Sequence, residues 1–145
     1  DESEVAAMEF ALEKLQVSHV IVCGHSDCGA MKALCMGKDK LELSYLRSWL
    51  RHGDEALTRV RAKKENLPLG EEVNAVSQAN VLLQLAHLKT YDRVAERVRD
   101  GKLVLHGLWF DIQNTDVYYA NLEERVFRVI DDTEGARILK RLGFS

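Results

Sequence analysis

Two short apolar runs flank a long stretch of helical periodicity, and that arrangement limits what the chain can build. The first is "SHVIVCG", residues 18–24; the second is "KLVLHGLWFD", residues 102–111. The first is rich in β-branched residues and does not alternate, as expected of a strand buried on both faces in a parallel sheet. Apolar residues recur at helical spacing from Ala30 to Leu88, and again near residues 91–99. Helices separating two such strands predict an α/β fold, a mostly parallel β-sheet flanked by helices.

Other elements follow from the same reading. Val5, Met8, Leu12 and Leu15, with Glu4, Glu9, Glu13 and Lys14 between them, predict an amphipathic helix over residues 3–16. Leu43, Leu46, Trp49 and Leu50 mark a helix interrupted near Gly53. Gly101 stands where a left-handed helix cap is expected. "VYYA" and "VFRVI" predict shorter strands around the polar turn "NLEER", and residues 134–142 a terminal helix. At 145 residues, one domain spanning 1–145 is expected.

Composition narrows the function classes. Lys and Arg total 20 against 23 Asp and Glu, a net charge of −3, with both signs dispersed. No basic face marks a nucleic-acid partner, and no apolar run reaches the roughly 20 residues of a membrane span. Three cysteines, Cys23, Cys28 and Cys35, argue against a disulfide framework and for a reducing compartment such as the cytoplasm. A carbon-fixing compartment or organelle stays open.

The chemistry concentrates in "VCGHSDCG", residues 22–29, at the junction of the first strand with a helix starting at Gly29. In open α/β sheets ligands bind at the carboxyl ends of the strands, and His25 and Cys28 sit at one. Imidazole nitrogen and thiolate sulfur are the donors zinc takes in tetrahedral sites. A helix N-terminus favours the thiolate. The same residues also read as a turn histidine beside a buried cysteine, and two ligands do not hold a zinc. Cys35 lies seven residues past Cys28, roughly 10 Å along a helix, too far to share the ion. It and Cys23 read as structural, with Cys23 packed against a helix. His106 reads as structural, Trp49 and Trp109 as packing or interface aromatics, His19 and His52 as surface residues, and Asp27 as a solvated turn aspartate.

"VSHVIVCGHSDCGAMKAL" closely resembles the zinc-ligand segment of the β-class carbonic anhydrases. "AAMEFALEKLQV", "EEVNAVSQANVLLQLAHLKTY" and "GKLVLHGLWFDI" resemble other segments of that family in the same order, so the resemblance runs from about residue 3 to residue 129. It implies a β-carbonic-anhydrase-like fold and reversible hydration of carbon dioxide to bicarbonate by a zinc-bound hydroxide. It also implies a homodimer or larger even assembly, with the first helix and "LSYLRSWL" supplying buried surface. His25 and Cys28 match two of the family's zinc ligands. Gly29 matches a glycine whose N–H faces the substrate oxygen. Phe10 stands where the family often has a tyrosine lining the pocket across a dimer interface; a core aromatic is the other reading of Phe10.

The family's remaining zinc cysteine belongs to a C-x-D-x-R segment on an earlier strand, and that segment is absent from these 145 residues. The expectation is that the native protein carries it upstream of Asp1, together with strands that would otherwise leave residues 20–23 as an exposed sheet edge. The alternatives are a noncatalytic assembly or binding module that has lost the ligand and the Asp–Arg pair, or a second chain that supplies them. Related hydrolysis of carbon disulfide or carbonyl sulfide would use the same metal chemistry.

Overall fold

The computed structural model describes residues 2–63 and 66–144; Asp1 and Ser145, the ends of the expected domain, lie outside the described residues. Helix α1 (Glu2–Glu9) runs into a π turn (Phe10–Lys14) and leads to β1 (His19–His25). Then come α2 (Gly29–Gly37), α3 (Ser44–Leu50), α4 (Asp54–Lys63), α5 (Leu69–Leu88) and α6 (Asp92–Arg99). The chain closes with β2 (Val104–Asp111), β3 (Asp116–Asn121), β4 (Val126–Val129) and α7 (Asp132–Arg141). Gly101 takes the predicted left-handed conformation, φ +68°, while Lys102 N–H bonds back to Arg97 O at 2.8 Å. Asp131 caps α7 by accepting from the Glu134 N–H at 2.7 Å.

The strands lie in the order β1-β2-β3-β4. β1 and β2 are parallel, with the five helices α2 to α6 and two 3-10 turns (Lys38–Lys40 and Arg51–Gly53) between them in sequence. The expectation of a mostly parallel sheet is narrowed within this chain, because β2-β3 and β3-β4 are antiparallel. The cause is loop length: the four-residue turns 112–115 and 122–125 join neighbours directly and leave no room for a crossover.

The core has two parts, and α5 belongs to both. On one side Val73, Val76 and Leu83 pack with Met31, Leu34 and Cys35 of α2, Leu50 of α3, and Ala56 and Val60 of α4. On the other, Val81 and Leu85 pack with Leu12, Val94, Leu103 and Leu105 against the sheet. Two glycines let α5 lie close to the strands. A Cβ at Gly24 would stand 2.7 Å from Val81 Cγ2, and one at Gly107 would meet Ala120 Cβ at 2.9 Å and Leu85 Cδ1 at 3.0 Å.

β1 departs from its expected burial. Val20, Val22 and Gly24 turn half-buried toward α5, whereas His19, Ile21, Cys23 and His25 are exposed, Ile21 at 57%. Among the described residues β1 is an edge strand and no layer covers its second face. Cys23 therefore does not pack against a helix. Cys35 is buried, as expected of a structural cysteine. Its carbonyl accepts from Arg61 Nη2 at 2.9 Å, and Arg61 Nε donates to Glu72 Oε1 at 2.7 Å, which ties α2, α4 and α5 together. Burial first, then the Glu72 carboxylate, pushes the Cys35 thiol up to about 11.

Two outcomes follow. Gly107→Ala should destabilise the chain by about 1–3 kcal/mol, since Ala120 Cβ is fixed to backbone and cannot yield. Urea unfolding measures this, and a cost below about 0.5 kcal/mol would show that α5 has room to retreat. With iodoacetamide at about pH 8, Cys35 should react on the order of 100-fold more slowly than exposed Cys23; comparable rates by peptide mass spectrometry would show that Cys35 is accessible.

Candidate metal centre

β1 ends at Gly24-His25, and the turn that follows is bound on three sides. Ser26 N–H donates to Phe110 O at 2.9 Å, which extends the β1–β2 ladder by one residue. The Ser26 hydroxyl accepts from the Ile112 N–H at 2.8 Å and reaches Asp111 Oδ1 at 3.4 Å. Asp27 adopts φ +49°, a left-handed conformation that aspartate tolerates better than most residues, and its N–H donates to Asn74 Oδ1 on α5 at 2.9 Å. Cys28 is extended, at φ −67° and ψ 116°, and its carbonyl accepts from Lys32 N–H at 2.8 Å, starting α2.

This turn sets the two candidate ligands differently. The His25 carbonyl accepts from Ser77 Oγ at 2.8 Å, and Ser77 Oγ in turn accepts from the Trp109 indole N–H at 3.1 Å. The His25 ring therefore sits on a backbone held by α5 and β2. Its Nδ1 lies 2.9 Å from Ser26 O. A carbonyl can only accept, so Nδ1 carries the proton and the lone pair is on Nε2, the tautomer that leaves Nε2 available to a metal. The Cys28 side chain makes no capping bond to α2 and is half-buried against the α2–α4–α5 core. It remains free to act as a ligand at a helix start.

Imidazole and thiol on one turn suit zinc. They are two donors only: among the described residues no three or more His, Cys, Asp or Glu side chains are grouped to hold a metal ion. Gly29 opens α2 and is exposed, and a Cβ there would meet nothing within 4 Å. The fold of this chain alone thus does not demand glycine at that position. Phe10 starts the π turn and is 58% exposed, which removes the reading of a core aromatic.

The remaining residues fall outside this turn. His106 and Trp109 are buried, and Trp49 is 57% exposed. His52 and His87 are exposed, with His87 Nδ1 3.3 Å from Gln84 Oε1. Asp27 is the exposed turn residue expected of it. Reading the sequence did not single out Ser26, Asn74 or Ser77, and it read Asp111 only as the end of a strand, where β2 does end. Asn74 and Ser77 stand three apart on α5 beside the buried Val73, Val76 and Val81, so polar residues on a core-facing stripe were the available signal. Asp111 accepts from the Asn114 side-chain amide at 2.9 Å and the Gln113 N–H at 3.0 Å. The Asn114 side chain, then the Asn114 and Gln113 backbone N–H groups and the Ser26 hydroxyl, hold its carboxyl below the usual carboxylate range.

A groove of about 560 Å³ runs beside the free edge of β1. Val20, Ile21 and Val22 form one wall, and Met8, Trp49 and Gln84 contribute from α1, α3 and α5.

The carbonic anhydrase family profile matches residues 1–117. A carbonic anhydrase of Synechocystis is 42% identical over 118 residues, covering 79% of this chain and 42% of that protein. One from Pseudomonas aeruginosa is 37% identical over 109 residues, covering 75% and 49%. The chain thus spans about half the length of these relatives. The structure of the β-carbonic anhydrase CcaA superposes with a TM-score of 0.83 at 33% identity, covering 88% of this chain and 63% of that one. A tetrameric β-carbonic anhydrase from Sordaria macrospora gives 0.70 at 25% identity, covering 83% and 61%. With its strand–turn–helix, its parallel β1–β2 pair and a profile match over most of its length, the chain belongs to the β-class carbonic anhydrase family.

Proposed function

We propose that this chain carries half of the zinc centre of an enzyme that reversibly hydrates carbon dioxide to bicarbonate. The observation that supports it most is the His25 tautomer: with Nδ1 donating to Ser26 O, Nε2 is the nitrogen left for a metal, on the same turn as the uncapped Cys28 thiol. His25 Nε2 and Cys28 Sγ are the ligands. A third, a cysteine of a C-x-D-x-R segment outside these 145 residues, completes the set together with its Asp–Arg pair. When bound, zinc lowers the pKa of water toward about 7, so that hydroxide is available near neutral pH.

The chain's own residues have separable tasks. Ser77 and the Nδ1–H bond hold His25 in position. Ser26, tied to Ile112 and Asp111, and Asp27, tied to Asn74, hold the turn so that Cys28 stays at the start of α2. The Gly29 N–H, in the first turn of α2, faces the substrate oxygen, and the absence of a side chain leaves that approach clear. Phe10, exposed on its own chain, supplies an apolar wall to the pocket of a neighbouring copy. The groove beside β1 offers a place for the strand that bears the third ligand, because β1 has an unpaired edge there.

The proposed assembly is an even homo-oligomer. Its support is the apolar side chains left exposed at Phe10, Leu43, Tyr45 and Trp49 and the tetrameric state of the Sordaria relative. Three free thiols with no disulfide suit a reducing compartment such as the cytoplasm. Among the described residues no helix is long and apolar enough to cross a membrane.

The test uses the protein translated from the whole reading frame. It should bind about one zinc per chain, and His25→Ala or Cys28→Ser should each lose nearly all of the metal and the carbon dioxide hydration. Cys35→Ser should keep both. Full zinc occupancy by elemental analysis in either ligand variant would refute the assignment. A reading frame with no C-x-D-x-R, and no zinc in its product, would favour the noncatalytic module.

A further inference from the structure

The sheet face turned away from α5 carries a connected group of side chains that the zinc centre does not use. Ile21 pairs with His106 and His19 with Val104, so His19 and His106 share this face on adjacent strands. His19 Nδ1 lies 2.9 Å from His106 Nε2, and His106 Nδ1 lies 3.1 Å from Tyr119 Oη. His19 is exposed, whereas His106 and Tyr119 are buried. Arg141, at the end of α7, sets its guanidinium 5.0 Å from the centroid of the Tyr119 ring. Helix α7 contributes no fully buried residue, so few contacts of other kinds anchor it.

The proton count of this group is restrictive. Each bond takes one donor and one acceptor. The chain is satisfied when each imidazole carries a single proton, in either direction of donation. If both imidazoles are protonated, two N–H groups face each other across 2.9 Å and the bond is lost. The charged groups facing His106 are His19 from β1 and Arg141 from α7. Arg128 of β4, paired with Tyr119 across the sheet, is itself engaged by Glu124. No carboxylate in this group offsets a second charge. Burial first, then His19 and Arg141, hold His106 below the usual histidine range.

We propose that His19, His106 and Tyr119 form an acid-released latch that keeps Arg141, and with it α7, on the sheet near neutral pH. Histidine in an unfolded chain titrates near about 6.5. A histidine held lower in the fold disfavours its own protonation, so the latched state is fully present above that value and is lost as pH falls through the lower folded value. Tyr119 pairs with Leu108, and Phe110 with His25, all on this face, so the latch and the metal-binding turn occupy the same side of the sheet. The latch does not rest on the zinc reading.

Hydrogen exchange of the full chain, corrected for intrinsic rates, tests it. Amides of α7 should lose about tenfold or more of their protection between about pH 7.5 and 5, while those of α5 hold. His106→Gln should flatten that change to less than about threefold, because glutamine stays neutral. His19→Gln, at an exposed position that spares the fold, removes one of the charges that hold His106 low and should move the loss to higher pH by about half a unit or more. Unchanged protection in the parent chain at pH 5 would overturn the latch. So would the same loss at the same pH in both variants.

Discussion

The close approach of α5 to the sheet is the constraint on which the other features depend. Gly24 and Gly107 remove the side chains that would hold the helix away, and Val81 and Leu85 fill the space so created. Because α5 lies that near, Ser77 can reach the His25 carbonyl while accepting from Trp109, and Asn74 can take the Asp27 N–H. The same helix turns Val73, Val76 and Leu83 toward α2 and α4. One element thus joins the two cores and fixes the end of β1. A buried hydroxyl with both roles filled is expensive to displace, since either partner would be left unsatisfied.

The candidate centre is consequently rigid where it meets backbone and open where it meets a ligand. His25 and Cys28 have their main-chain groups engaged by three different elements, while Nε2 and Sγ have no hydrogen-bond partner among the described residues. The sheet has the same asymmetry. One face of β1 rests on α5, and its edge and opposite face are bare among the described residues. An edge strand with exposed Ile21 beside an apolar groove is a surface that pairing would stabilise. The proposed two-donor ligand set and the edge left unpaired among the described residues coincide at one strand, and a single added strand would answer both.

Much of this was legible in the residues, for identifiable reasons. The strand–turn–helix at 19–37 announced itself because β-branched residues, then glycine, then a 3.6-residue pattern succeed each other without overlap. Gly101 was legible because a left-handed cap has few alternatives to glycine. The burial of β1 was not, because "VIVC" reads the same whether one face or both are covered, and coverage depends on what packs against the strand. The antiparallel meander was blurred for a related reason: strand direction is decided by the four-residue turns. Ser77 and Asn74 were overlooked because their task appears only when α5 meets the turn, 47 residues away in sequence for the Asp27–Asn74 bond.

The most direct test of the central claim is zinc-edge X-ray absorption on the protein from the whole reading frame, compared with its Cys28→Ser variant. The account predicts a shell with an imidazole nitrogen at about 2.0–2.1 Å and sulfurs at about 2.3 Å, and one sulfur fewer, or no zinc, in the variant. A spectrum without imidazole, or a sulfur shell that Cys28→Ser leaves intact, would contradict it.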